Sequence, residues 1–213
     1  MRLYLSSYGL GNHPEKLTAL FKGNKKVALI LNARDGYSKE ERQMKCFEHL
    51  EGLNKIGLIA SEIDLKKFFG KTAELKNELL NYEGLCVSGG NTFLLRRAMR
   101  ESGFDIIIKE LLAEDKIIYA GYSAGGCVLS PTLRGLEIVD DVNAVQQIYG
   151  QEPIWEGLNI LPYSFTPHYH SNHPESAAID RTVEFFKQEK MPFKTLTDGQ
   201  VIIINGAKEE IIP

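Results

Sequence analysis

An α/β fold with a largely parallel sheet is predicted by three features of this sequence. Short apolar, β-favouring runs alternate with longer segments of helical period. Two of those runs end in glycine-rich junctions, Ser88-Gly89-Gly90-Asn91 and Gly121-Tyr122-Ser123-Ala124-Gly125-Gly126. A late apolar run follows an Asp-Gly pair, a favoured hairpin turn.

The strands are read in order as Arg2 to Ser6, Lys26 to Asn32, Gly57 to Glu62, Gly84 to Ser88 and Lys116 to Gly121. Between the second and third, Ser38-Lys39-Glu40-Glu41 has the Ser-x-x-Glu form of a capping box. Met44, Phe47, Leu50 and Leu53 then repeat at helical spacing, so a helix is expected to about Asn54 with these residues on its buried face. Asn91 precedes Phe93, Leu94, Leu95, Ala98 and Met99 and suits the N-cap of the next helix, with Phe104 to Leu112 continuing as helix. Arg134 to Tyr163 has mixed polarity and no long period, which predicts irregular or short β structure. Glu175 to Glu189 is helical again, with Ile179, Val183 and Phe186 on one face. The end is read as a C-terminal β-hairpin of Lys194 to Leu196 and Val201 to Asn205 around Thr197-Asp198-Gly199-Gln200. No repeat, linker or low-complexity segment divides the chain, and residues 1–213 are read as one domain.

Of 213 residues, 43% are hydrophobic and 25% charged, with a net charge of −3, so nothing in the balance points to nucleic acid. The partners expected are small molecules or short peptides. Cys46, Cys86 and Cys127 are scattered and lack metal or disulfide spacing, which suits reduced thiols in the cytoplasm. No leader-like or membrane-spanning run is read, so no membrane partner is expected.

Gly121-Tyr122-Ser123-Ala124-Gly125, after a strand and before small residues, has the Gly-x-Ser-x-Gly form in which a serine nucleophile stands on a sharp strand-to-helix turn. The competing reading is a serine that merely caps the next helix. A nucleophile needs a base and donors for the oxyanion. Gly89 and Gly90 end the preceding strand and offer backbone N–H groups at the sheet edge where such sites collect. A phosphate loop is the alternative there, but no Lys-Ser or Lys-Thr follows. Three of the five histidines fall in Pro167-His168-Tyr169-His170-Ser171-Asn172-His173. They offer either a base for Ser123 or a metal set, although carboxylate partners at helical spacing are not evident and no metal or cofactor is expected. His13 and His49 are read as exposed. Glu137, Asp140 and Asp141 lie between the serine and the histidines, and Asp198 is a further candidate acid.

Taken together, Gly-Gly-Asn-Thr at 89–92, Gly-Tyr-Ser-Ala-Gly at 121–125, Ser-Pro-Thr-Leu-Arg at 130–134 and Pro-His at 167–168 resemble the aspartyl dipeptidase (dipeptidase E) family of serine peptidases, relatives of cyanophycinase. The likeness runs from the first strand to the terminal hairpin. It implies a doubly wound, mostly parallel sheet similar to the class I glutamine amidotransferase fold, with serine in place of the nucleophilic cysteine. By motif, Ser123 matches the family nucleophile, His168 the general base, and Gly90 and Ala124 the oxyanion-hole donors, with Gly89 and Asn91 on the substrate side. A gapless count from the serine places the acid between Ile138 and Asp141, which favours Asp140 or Asp141 with Glu137 behind them. Aspartate-preferring members use an arginine soon after the base histidine. The matching stretch here is Glu175-Ser176-Ala177, so Arg181 is the nearest candidate for binding a substrate carboxylate.

The resulting expectation is a serine peptidase acting on short peptides, including those with N-terminal aspartate, as a monomer or homodimer. An esterase or amidase with the same triad, and a catalytically silent binding protein of the same fold, are the alternatives.

Overall fold

The computed structural model describes residues 1–213. Its strands are β1 (Arg2–Ser6), β2 (Lys26–Ile30), β3 (Ile59–Glu62), β4 (Gly84–Val87), β5 (Ile118–Tyr122), β6 (Ser164–Thr166), β7 (Phe193–Thr195), β8 (Val201–Asn205) and β9 (Lys208–Ile212). Its helices are α1 (Pro14–Thr18), α2 (Lys39–Lys55), α3 (Thr72–Leu79), α4 (Thr92–Ser102), α5 (Phe104–Ala113), α6 (Ala124–Cys127), α7 (Ala144–Tyr149) and α8 (Ser176–Gln188). No helix is long and apolar enough to cross a membrane.

Seven strands form one sheet in the order β3-β2-β4-β5-β1-β8-β9, parallel from β3 through β1 and antiparallel at β8 and β9. Side chains alternate between its faces. On β5, Tyr119 joins the larger apolar core with Phe93, Phe104 and Ile108, whereas Ile118 and Ala120 join the smaller core with Leu17 and Leu53. Helices cover both faces, the doubly wound arrangement in which parallel strands are buried on each side. The C-terminal ends of β4 and β5, at the centre of the sheet, therefore open between the layers.

The expected helix caps are present. Ser38 Oγ accepts from Glu41 N–H while the Glu41 carboxylate accepts from Ser38 N–H, and Asn91 Oδ1 accepts from the Phe93 and Leu94 N–H groups at 3.0 Å. On α2, however, only Leu53 is fully buried; Met44 and Phe47, expected inside, are exposed. The segment from Arg134 to Tyr163 also contains a helix, α7, that its polarity concealed.

The terminal hairpin is displaced from its expected position. It joins β8 to β9 through Gly206-Ala207, with Gly206 at φ +64 supplying the left-handed residue such a loop requires. β7 instead pairs in parallel with β6, as a separate two-stranded sheet, in the register Thr166↔Thr195. Thr197 to Gln200 is a turn, closed by Gln200 N–H to Thr197 C=O at 3.1 Å, but it connects two sheets rather than two paired strands. Asp198 on that turn consequently faces β6.

Candidate active site

β5 ends abruptly at Ser123, whose backbone lies at φ 48, ψ −119. A non-glycine residue held there costs on the order of 1–3 kcal/mol, so the surroundings must impose it. They do so by close packing. A Cβ on Gly121 would come 2.5 Å from Gly125 C=O, one on Gly126 would come 2.5 Å from the Phe165 ring, and one on Gly125 would overlap Val87 C=O. Only glycine lets the short α6 helix return this tightly against β4 and β5. The Ser123 carbonyl accepts from the Gly126 and Cys127 N–H groups at 2.8 and 2.9 Å, which starts the helix. Ser123 Oγ neither caps α6 nor makes any other hydrogen bond, and the side chain lines a cavity of about 210 Å³.

Gly89 and Gly90 line the same cavity. Gly90 is at φ +138, where an added Cβ would lie 2.5 Å from Ala33 C=O. Its N–H has no protein acceptor. Ala124 is the first residue of α6, and its N–H is one of those a helix leaves without an internal partner. Asn91, expected on the substrate side, is occupied elsewhere: its Oδ1 caps α4 and its Nδ2 donates to Asp141 C=O at 2.7 Å.

His168 faces this cavity from the end of β6 and is only 1% exposed. Its backbone N–H donates to Ser7 Oγ at 2.8 Å, and that hydroxyl donates to Asp198 Oδ1 at 2.7 Å. The same carboxylate oxygen lies 2.7 Å from His168 Nδ1. In the neutral ring this fixes the proton on Nδ1 and leaves Nε2 as an acceptor. Burial pulls the His168 pKa below its usual value, helped by His173 and opposed by Asp198, so the ring is neutral at pH 7.

The carboxylate beside the histidine is thus Asp198, not Asp140 or Asp141. Both favoured acids are engaged with other partners. Asp140 Oδ2 accepts from Thr92 N–H at 2.8 Å, at the start of α4 where helix N–H groups attract a carboxylate. Asp141 Oδ1 accepts from Asn143 N–H at 2.9 Å, and Glu137 from Gly135 N–H at 2.5 Å. Desolvation raises the Asp140 pKa to about 6. Arg181 also falls outside the cavity: its Nη1 donates to Ala177 C=O at 3.2 Å, and it lines a separate hollow with Tyr169, His170 and Asp180. His49 is half-buried rather than exposed, stacked on Tyr122 with ring centroids 5.6 Å apart.

His168, His173 and Glu175 bring donor atoms within 4.8 Å of one another, whereas His170 turns away toward Asp180. The His168 and His173 rings are stacked, 3.7 Å apart at 6°. A metal about 2.1 Å from a nitrogen of each would lie well out of both ring planes, and His173 Nδ1 already accepts from Glu175 N–H at 3.2 Å. The arrangement suits a stacked pair better than a metal site.

Three contributors lay outside the sequence reading. Ser7, Tyr8 and Arg34 come from segments without a motif and reach the site only because β1 ends beside β5 and β2 ends beside β4.

The fold has close counterparts among solved structures. A candidate peptidase E protein from Listeria monocytogenes EGD-e superposes with a TM-score of 0.78 at 24% identity, covering 99% of this chain and 97% of that one. Among sequence relatives, the uncharacterised peptidase Lmo0363 of Listeria monocytogenes is 28% identical over 156 residues, 73% of this chain and 72% of its own. Peptidase E of Streptomyces coelicolor is 27% identical over 130 residues, 58% of this chain and 49% of that protein. The family model for peptidase family S51 matches residues 9–212, from just after β1 through β9. That match takes in both glycine-rich junctions, the histidine segment and the Asp198 turn together, and the chain accordingly belongs to peptidase family S51, a family of serine peptidases.

Proposed function

We propose that the protein hydrolyses short peptides by acyl transfer through Ser123, His168 and Asp198. The observation that carries this reading is the buried His168, tied through Nδ1 to Asp198 in the cavity that Ser123 lines. His168 Nε2 takes the Ser123 proton as Oγ attacks the peptide carbonyl, and Asp198 steadies the imidazolium that results. The Gly90 and Ala124 N–H groups hold the oxyanion. The amine leaves with the proton from His168, and water, activated by the same ring, releases the acyl group. Closure of Ser123 Oγ onto Nε2 accompanies substrate binding, since catalytic hydrogen bonds commonly tighten only in the complex. The buried free thiols of Cys86 and Cys127 support a reducing compartment, the cytoplasm, as the site of action.

Dipeptides assayed beside p-nitrophenyl esters test the reading. Ser123→Ala should abolish turnover in a folded protein, and Asp198→Asn should lower kcat by about 10⁴-fold. Asp140→Asn should leave most activity. Undiminished hydrolysis by the Ser123→Ala protein would sink the assignment, and loss of activity in Asp140→Asn with retention in Asp198→Asn would reverse the choice of acid.

A further inference from the structure

The cavity around Ser123 and His168 has a cationic wall that the acyl-transfer steps leave unused. Arg34, just after β2, and Lys45, on α2, both line it. Lys45 is already paired with Glu48 at 2.7 Å. Arg34 has no carboxylate within 4.0 Å. Its Nη2 donates to Tyr122 OH at 3.2 Å, its guanidinium lies 5.1 Å from the centre of the Tyr37 ring, and its Nε is buried with no acceptor. A guanidinium is always charged and offers its donors as a planar fork matched to a carboxylate. Tyr122 directly precedes Ser123, so the contact with its hydroxyl keeps the fork near the reacting centre. Glu175 lines another part of the cavity, 4.0 Å from His168 Nε2, and repels a substrate carboxylate from that side. Arg181 is elsewhere, which leaves Arg34 as the one arginine in the cavity.

Building on the serine-peptidase reading of this cavity, we propose that Arg34, in place of Arg181, is the residue that anchors a substrate carboxylate lying close to the scissile bond. Two carboxylates meet that condition. The side chain of an aspartate on the acyl side and the C-terminus of a single leaving residue are each three bonds from the scissile carbonyl carbon. Either places an anion beside Ser123 within the span of one residue.

Calorimetric titration of Ser123→Ala protein with Asp-Ala, Asn-Ala, Asp-Ala-amide and Asn-Ala-amide separates these sources. The carboxylate read by Arg34 should raise affinity at least about tenfold over the peptide with neither, as a charge-assisted pair does. Adding Arg34→Gln should erase that gain while leaving Asn-Ala-amide binding unchanged. Arg34→Lys, which keeps the charge without the fork, should retain only part of it and serves if the glutamine variant does not fold. Equal affinity for all four peptides, no measurable binding of any, or a carboxylate preference that survives both substitutions would overturn the proposal. Hydrolysis of the same peptides by the unmodified protein is read separately. Binding of the expected pattern without turnover would refute the peptidase reading while leaving the anchor standing.

Discussion

Replacing Asp140 by asparagine should stabilise the protein, and by an amount that depends on pH. Asp140 is held at the N-terminus of α4 with Oδ2 on Thr92 N–H, and burial, with Glu175 nearby, lifts its pKa from 3.8 to about 6. A carboxyl whose folded pKa is raised binds its proton more tightly in the folded state, so stability falls as pH rises through that interval. The cost is absent well below 3.8 and complete above about 6. At 1.36 kcal/mol per pH unit the interval amounts to about 3 kcal/mol, an upper figure because the residue keeps partial access to water. Asparagine retains an acceptor for Thr92 N–H and cannot ionise. Urea unfolding should therefore show Asp140→Asn more stable by up to about 3 kcal/mol at pH 8 and by about half that at pH 5. A gain equal at the two pH values, or a loss at both, would refute the assignment of a desolvated, ionising Asp140.

Other expectations follow from the same geometry. Because burial lowers the His168 pKa, the acid limb of kcat/KM should have its midpoint below 6.5, and Asp198→Asn should move it lower still by removing the carboxylate that opposes burial; a midpoint above 6.5 in the unmodified protein would contradict this. Ser7→Ala leaves the His168 N–H buried without an acceptor and should cost about 1–3 kcal/mol by denaturant unfolding, with kcat reduced as well. Gly125→Ala drives a methyl into Val87 C=O and should lower stability by roughly 1–3 kcal/mol or more, read as a fall in Tm.

The sharp turn at Ser123 and the succession of parallel strands along the chain were legible because each rests on local chemistry. Small residues must surround a sharp strand-to-helix return, and an apolar run buried on both faces needs no partner to be recognised. Asn91 and Ser38 were legible as caps for the same reason. The acid was not. Asp140 and Asp141 lie at a persuasive distance along the chain, but the loop carrying them folds back on the start of α4, which only tertiary structure reveals. Asp198 was named only as a further candidate, and its turn signal pointed elsewhere: Asp-Gly between two apolar runs predicts paired strands, and here the strands diverge into different sheets. The true hairpin, at Gly206-Ala207, leads into a strand rich in lysine and glutamate at the sheet edge, where solvent permits residues that an interior strand excludes. Arg34 had no local signature at all, since its place in the cavity depends on β2 lying next to β4, one strand from β5.

The pairing of β6 with β7 gives the site a two-part construction. Thr166 and Thr195 are partners, His168 follows two residues after the first and Asp198 three after the second, and the ladder continues through Leu196 N–H to Thr166 C=O and Tyr169 N–H to Leu196 C=O at 2.9 and 3.0 Å. His168 and Asp198 thus ride on a single narrow ribbon, while Ser123, Gly90 and Ala124 ride on the main sheet. The separation of His168 from Asp198 is therefore set within the ribbon itself, whereas the separation of His168 from Ser123 is set by how the ribbon seats against the main sheet.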